Sequence, residues 1–141
     1  MISAEDLIEE KTVLCGSSAL SFAGLIMFNT THYIIQTRID LLNNSVLYFF
    51  TLKFNPKIDY EYRVVPSKSN PMLLLPTKER ALVENIQHLE WVDEGLLVEG
   101  LKNYIAQFWN EEEIYKVADH FGLDHSTLEY WLEEARNDYD D

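Results

Sequence analysis

Two periodicities divide the chain. Up to about residue 76, apolar residues come in short runs rich in β-branched and aromatic side chains. His32–Thr37 and Val46–Leu52 read as strands, and Asp59–Val65, which alternates in part, reads as a third. Asn43-Asn44-Ser45 and Asn55-Pro56 are the turn signals between them, and Asn43-Asn44 tolerates positive φ, which predicts a tight hairpin. Ahead of the strands, Ala4–Glu10 and Ser17–Leu25 read as short helices. The second is almost wholly apolar or small, so it is expected to be buried on most sides. A proline-punctuated stretch, Pro66 to Pro76, joins the halves, and Met72–Leu75 inside it reads as a short last strand.

Beyond it the spacing is helical. Pro76-Thr77 precedes a helix start with Thr77 as N-cap, and Ala81, Leu82, Ile86 and Leu89 form an apolar side. A helix from about Asp93 to about Trp109 carries Leu97, Leu101, Tyr104, Ile105 and Phe108 at helical spacing. Asn110 with Glu113 has the form of a capping box, and Gly122 is placed to end the helix it opens. Asp124 or His125 opens the last helix, with Leu128, Trp131, Leu132 and Ala135 inward. The expected fold is α+β within one domain, 1–141. A small, mostly antiparallel sheet and two short N-terminal helices occupy 1–76. A helical half follows over 77–136, ending in a helix-turn-helix-like pair, and 137–141 is a frayed polar tail.

Composition narrows the function classes. The chain has 141 residues, 47% of them hydrophobic, enough for a real core. Its formal charge is −13, from 11 cations and 24 anions. Residues 1–76 carry 6 cations and 7 anions, and residues 77–141 carry 5 and 17, so the excess lies in the helical half. A chain this acidic repels a bare phosphate backbone unless its few cations cluster. The acidic start and the lack of a long apolar run predict no membrane span and no signal peptide. The lone Cys15 makes no internal disulfide. A cytoplasmic protein is expected.

The candidate chemistry is sparse. Gly16-Ser17 at a helix start could offer backbone N–H groups to a phosphate, as nucleotidyltransferases do. The next acid, Asp40, stands alone, whereas two-metal chemistry needs several converging carboxylates. His120 and His125 are five apart, not the three or four of a zinc pair on one helix face. Cys15 sits among apolar residues as a small core side chain. No catalytic residue, metal or cofactor is assigned. Val117 to Leu132 has the form of a helix-turn-helix, but its second helix offers Glu129, Glu133 and Glu134 against Arg136 alone, which disfavours direct nucleic-acid binding.

Two segments together resemble a known family. Cys15-Gly16-Ser17-Ser18-Ala19-Leu20, then Ala23-Gly24-Leu25, then the strand ending at Thr37, are similar to the C-terminal domain of AbiEi-type antitoxins. Leu75-Pro76-Thr77-Lys78-Glu79-Arg80-Ala81-Leu82 resembles that family's second helix start. The likeness covers roughly residues 12–110. It departs from the family in the spacing between Pro76 and Arg80, in Asn85 near a usual aspartate, and in having no room for the N-terminal winged helix before Leu14. The resemblance implies a non-enzymatic antitoxin that neutralises a nucleotidyltransferase-type toxin, in a toxin–antitoxin or phage-defence setting.

Charge suits such a partner, because a protein that handles nucleotides or transfer RNA presents Lys and Arg. The expected docking residues are Glu111, Glu112, Asp119, Glu129, Tyr130 and Glu133. Gly16, Ser17, Ser18, Ala19, Leu20, Gly24, Pro76, Thr77 and Arg80 are expected to be structural. Three alternatives stay open: a DNA-binding regulator using the last two helices, an acidic phage-type inhibitor that mimics nucleic acid, and a nucleotidyltransferase relative.

Overall fold

The computed structural model describes residue 8 and residues 10–27, 33–38 and 50–137. It is α+β, with a mixed five-stranded sheet and five α-helices among these residues. In chain order they are β1 (Thr12–Leu14), α1 (Gly16–Phe22), β2 (Tyr33–Thr37), β3 (Phe50–Phe54), β4 (Val64–Pro66), β5 (Leu73–Pro76), α2 (Lys78–Gln87), α3 (Glu94–Gln107), α4 (Glu111–Phe121) and α5 (His125–Asn137). A 3-10 turn, Leu89–Trp91, follows α2.

Strand order is β3-β2-β1-β5-β4. β1 pairs antiparallel with β2 and parallel with β5, β2 pairs parallel with β3, and β4 pairs antiparallel with β5. The sheet is therefore mixed, not mostly antiparallel. The tight hairpin expected at Asn43-Asn44 is excluded as a link between β2 and β3, since parallel neighbours need a crossover. The antiparallel expectation rests on the Asn-Asn turn signal alone, because alternating side chains mark a strand but not its direction. Positions 43–45 themselves lie outside the described residues, as do Val46–Phe49 of the second expected strand and most of the expected helix Ala4–Glu10.

The central strand β1 was not foreseen. It is three residues long, too short to show a period, yet Thr12, Val13 and Leu14 are all buried. The strand read over Asp59–Val65 shrinks to Val64–Pro66. Ahead of it, Asp59 Oδ1 accepts from the backbone N–H of Glu61 (2.9 Å) and Tyr62 (3.0 Å), an Asx turn that breaks the extended chain. Arg63 then takes a left-handed φ of 53°.

The sheet separates two packed layers. Ile8, Leu14, Ile35, Phe50 and Leu73 cluster together. Ile35 alternates with Ile34 and Gln36, which turn towards α1 and α2. A larger core joins Leu20 of α1 and Leu82 of α2 with Leu97 and Leu101 of α3, Ile114 of α4, and Leu128 and Leu132 of α5. Each such leucine contributes about 1.5–3 kcal/mol through burial. The helices fall close to their expected spans. However, Leu89 lies in the 3-10 turn, and Phe108, past the end of α3, is exposed beneath Lys78 rather than inward. No helix among the described residues is long and apolar enough to cross a membrane.

Candidate functional site

Local sequence makes the α4–α5 surface. Asn110 Oδ1 accepts from Glu113 N–H at 3.1 Å, and Gly122 ends α4 with φ 73°, where a left-handed glycine costs nothing. The capping box is half formed. The Glu113 carboxylate does not return to Asn110 N, which donates to the Tyr104 hydroxyl, but takes a bidentate pair from Arg63. Arg63 holds that carboxyl below its ordinary range, against burial, with help from Lys116.

Steps of four residues place Glu111, Tyr115 and Asp119 on one row of α4, and His125, Glu129 and Glu133 on one row of α5. The rows meet. His125 Nε2 and Asp119 Oδ1 are hydrogen-bonded at 2.7 Å, and the Tyr115 hydroxyl donates to Glu129 Oε2 at 3.1 Å. The Tyr115 and His125 rings meet edge to face with centroids 4.8 Å apart. Burial raises the Tyr115 pKa, and the bond to Glu129 and the charges of Glu129 and Glu111 raise it further. Arg136 Nη1 donates to Glu133 Oε1 at 3.2 Å and lies over the Trp109 ring.

All six expected docking residues are exposed. The structure brings Asp119 and Glu129 together through His125 and Tyr115, with Glu111 electrostatically near. Glu112 sits one residue round the helix, on the row of Lys116. Tyr130, 58% exposed, meets the edge of Trp131 on a neighbouring face of α5. Tyr115 and His125 were missed as members of this surface. Their position four residues from Glu111, Asp119 and Glu129 was the available signal.

The motif residues lie elsewhere, in the interior. Gly16 to Leu20 are buried, so the Gly-Ser turn is closed over by protein. Ser18 Oγ accepts from Ile34 N–H at 2.9 Å, pinning α1 to β2. Gly16 has φ 61°, and a Cβ there would meet the Trp91 carbonyl oxygen at 2.6 Å. Gly24, φ 78°, follows α1 with open space around it. Pro76 ends β5 opposite Val64, and Thr77 Oγ1 accepts from Arg80 N–H.

Arg80 is fully buried. Its Nε donates to Glu84 Oε1 at 3.1 Å, its Nη1 donates to the Tyr62 carbonyl at 2.6 Å, and its guanidinium lies over the Phe121 ring. Gln36 Nε2 also donates to Glu84 Oε1, at 3.0 Å, and Asn55 Nδ2 donates to Gln36 Oε1 at 2.9 Å. Sequence reading missed Gln36, Glu84, Tyr62 and Asn55 here. Only the i,i+4 spacing of Arg80 and Glu84 was visible. His120 pairs with Asp59 at 2.8 Å and stacks on Tyr62 with centroids 3.5 Å apart. The two candidate histidines thus have separate carboxylate partners.

No family model matches the chain, and no curated protein matches it.

Proposed function

We propose that this is a non-enzymatic, cytoplasmic binding protein that docks a basic partner on the α4–α5 face, in the manner of an AbiEi-type antitoxin neutralising a nucleotidyltransferase-type toxin. The observation that supports it is the pair of facing rows, Glu111-Tyr115-Asp119 and His125-Glu129-Glu133. Asp119–His125 and Tyr115–Glu129 join them. Carboxylates held by neighbours lose less side-chain freedom on binding than freely rotating ones, and they steer a cationic surface towards them. The motif residues act as scaffold: Gly16 to Leu20 and Arg80 set α1 and α2 against the sheet, and α2 carries the helices that follow.

The α4–turn–α5 unit, joined by residues 122–124, also has the form of a helix-turn-helix. Its charges favour a protein over DNA, because α5 exposes Glu129, Glu133 and Glu134, and its cation Arg136 is paired with Glu133. Mimicry of nucleic acid is the neighbouring reading of the same face. The test is a tagged pull-down from the native cell at about 150 mM salt, where surface charges are screened beyond roughly 8 Å. Stoichiometric recovery of a basic nucleotidyltransferase-like protein, lost in the triple variant Glu111→Gln/Glu129→Gln/Glu133→Gln, is the expected result. Recovery of nucleic acid alone overturns the proposal and makes the helix-turn-helix the lead.

A further inference from the structure

The other end of the sheet carries an opposite surface. The β1/β2 register pairs Val13 with Gln36 and Leu14 with Ile35. Lys11 precedes β1 and Arg38 follows β2, so both cations stand at the same end of this antiparallel pair. Both cations also lie over one ring: Lys11 Nζ is 5.9 Å and Arg38 Cζ 5.3 Å from the Tyr60 centroid. Lys57 stands beside them. The described residues place no carboxylate within ion-pair distance of Lys11, Arg38 or Lys57. In a chain with 24 anions and 11 cations, two cations over one aromatic ring, with a third beside it and none of them paired to a carboxylate among the described residues, is an arrangement an anion would relieve.

The surface is concave. A cleft of about 230 Å³ is lined by Glu10, Lys11, Thr37, Arg38 and Tyr60. A shallower hollow of about 510 Å³ shares Lys11 and Tyr60 and adds Lys57, Ile58, Asp59 and Glu61. The smaller space holds Lys11 and Arg38 for a phosphate group, and in the adjoining one Ile58 and Tyr60 offer the apolar surface, among Lys57, Asp59 and Glu61, for the body attached to it. Its walls are held in place. Asn55 Oδ1 accepts from Lys57 N–H at 3.0 Å, Asp59 Oδ1 caps the turn around Tyr60, and the Gln36–Asn55 bond ties that loop to the core. Glu10 is the carboxylate among the described residues lining the small cleft; Asp59, engaged by His120, and Glu61 line the adjoining hollow.

We propose that this cleft binds a phosphate monoester of mononucleotide size, its phosphate between Lys11 and Arg38 and its body over Ile58 and the Tyr60 edge. The full chain is titrated with adenosine 5′-monophosphate, adenosine and inorganic phosphate, read by amide chemical shifts and calorimetry. The monophosphate is expected to shift Lys11, Arg38 and Tyr60 and to bind at least about tenfold tighter than adenosine. Arg38→Gln with Lys11→Gln should weaken it about tenfold or more with unchanged circular dichroism, whereas Glu10→Gln should tighten it severalfold. Lys68→Gln, in the β4–β5 turn, should bind as the native chain does. Equal binding of adenosine and its monophosphate, shifts elsewhere, or weakening by Glu10→Gln overturns the proposal.

Discussion

The side-chain amide of Gln36 on β2 donates to the carboxylate of Glu84 on α2, 3.0 Å away, at a point where both residues are buried. The same carboxylate oxygen accepts from Arg80 Nε. One oxygen thus joins the sheet to the only fully buried guanidinium among the described residues, and the helical half sits on that junction.

Glu84→Gln keeps an acceptor for Gln36 but strips Arg80 of its counter-charge. A buried ion left unpaired costs about 3–5 kcal/mol, which is the expected loss in urea unfolding. Arg80→Met combined with Glu84→Gln should lose clearly less than the sum of the two single changes. Strict additivity would show that the pair does not couple.

Two glycines separate backbone strain from crowding. Gly24→Ala meets only the cost of a left-handed residue, about 1–2 kcal/mol. Gly16→Ala has a similar φ and, in addition, a Cβ against the Trp91 carbonyl, so it should cost more. Equal losses would mean that the 3-10 turn carrying Trp91 shifts freely.

Acid should loosen the link between the β3–β4 loop and α4. Burial pushes the Asp59 carboxyl up, but the N–H bonds from Glu61 and Tyr62, the His120 bond and the Arg80 charge outweigh it and hold it low. Glu113 is held low by Arg63. A carboxyl whose folded pKa lies below its unfolded one adds stability above the unfolded value, roughly pH 4, and that stability disappears as pH falls through the folded pKa. The unfolding midpoint should therefore drop below about pH 4. It should drop less steeply in Asp59→Asn/Glu113→Gln. A double variant with the same slope as the native chain rules these groups out.

Alkali acts on Tyr104. Its hydroxyl donates to Glu79 Oε2 at 2.8 Å, and burial, the Glu79 bond and the Glu79 charge raise its pKa. The folded state keeps a proton that the unfolded chain releases above about pH 10, so stability falls as pH rises past that point. Tyr104→Phe should remove that alkaline loss. At neutral pH it should cost about 1–3 kcal/mol, because Asn110 N loses its acceptor.

The sequence by itself determined the elements with long, local periodicity. Residues 78–137 repeat at helical spacing, and Thr77, Asp93, Asn110 and Gly122 mark helix ends through side-chain or backbone chemistry within four residues. The exposed carboxylates of α4 and α5 were legible for the same reason, since a helix assigns faces by counting. Tertiary structure alone decided the direction of β3, the strand at Thr12–Leu14, and the loop that replaced most of Asp59–Val65. Strand pairing depends on partners far along the chain, and alternation carries no sign for parallel or antiparallel. It also decided which charges meet. Arg63 reaches Glu113 across 50 residues, Gln36 reaches Glu84 across 48, and Lys11 and Arg38 meet over the Tyr60 ring, which no local pattern records.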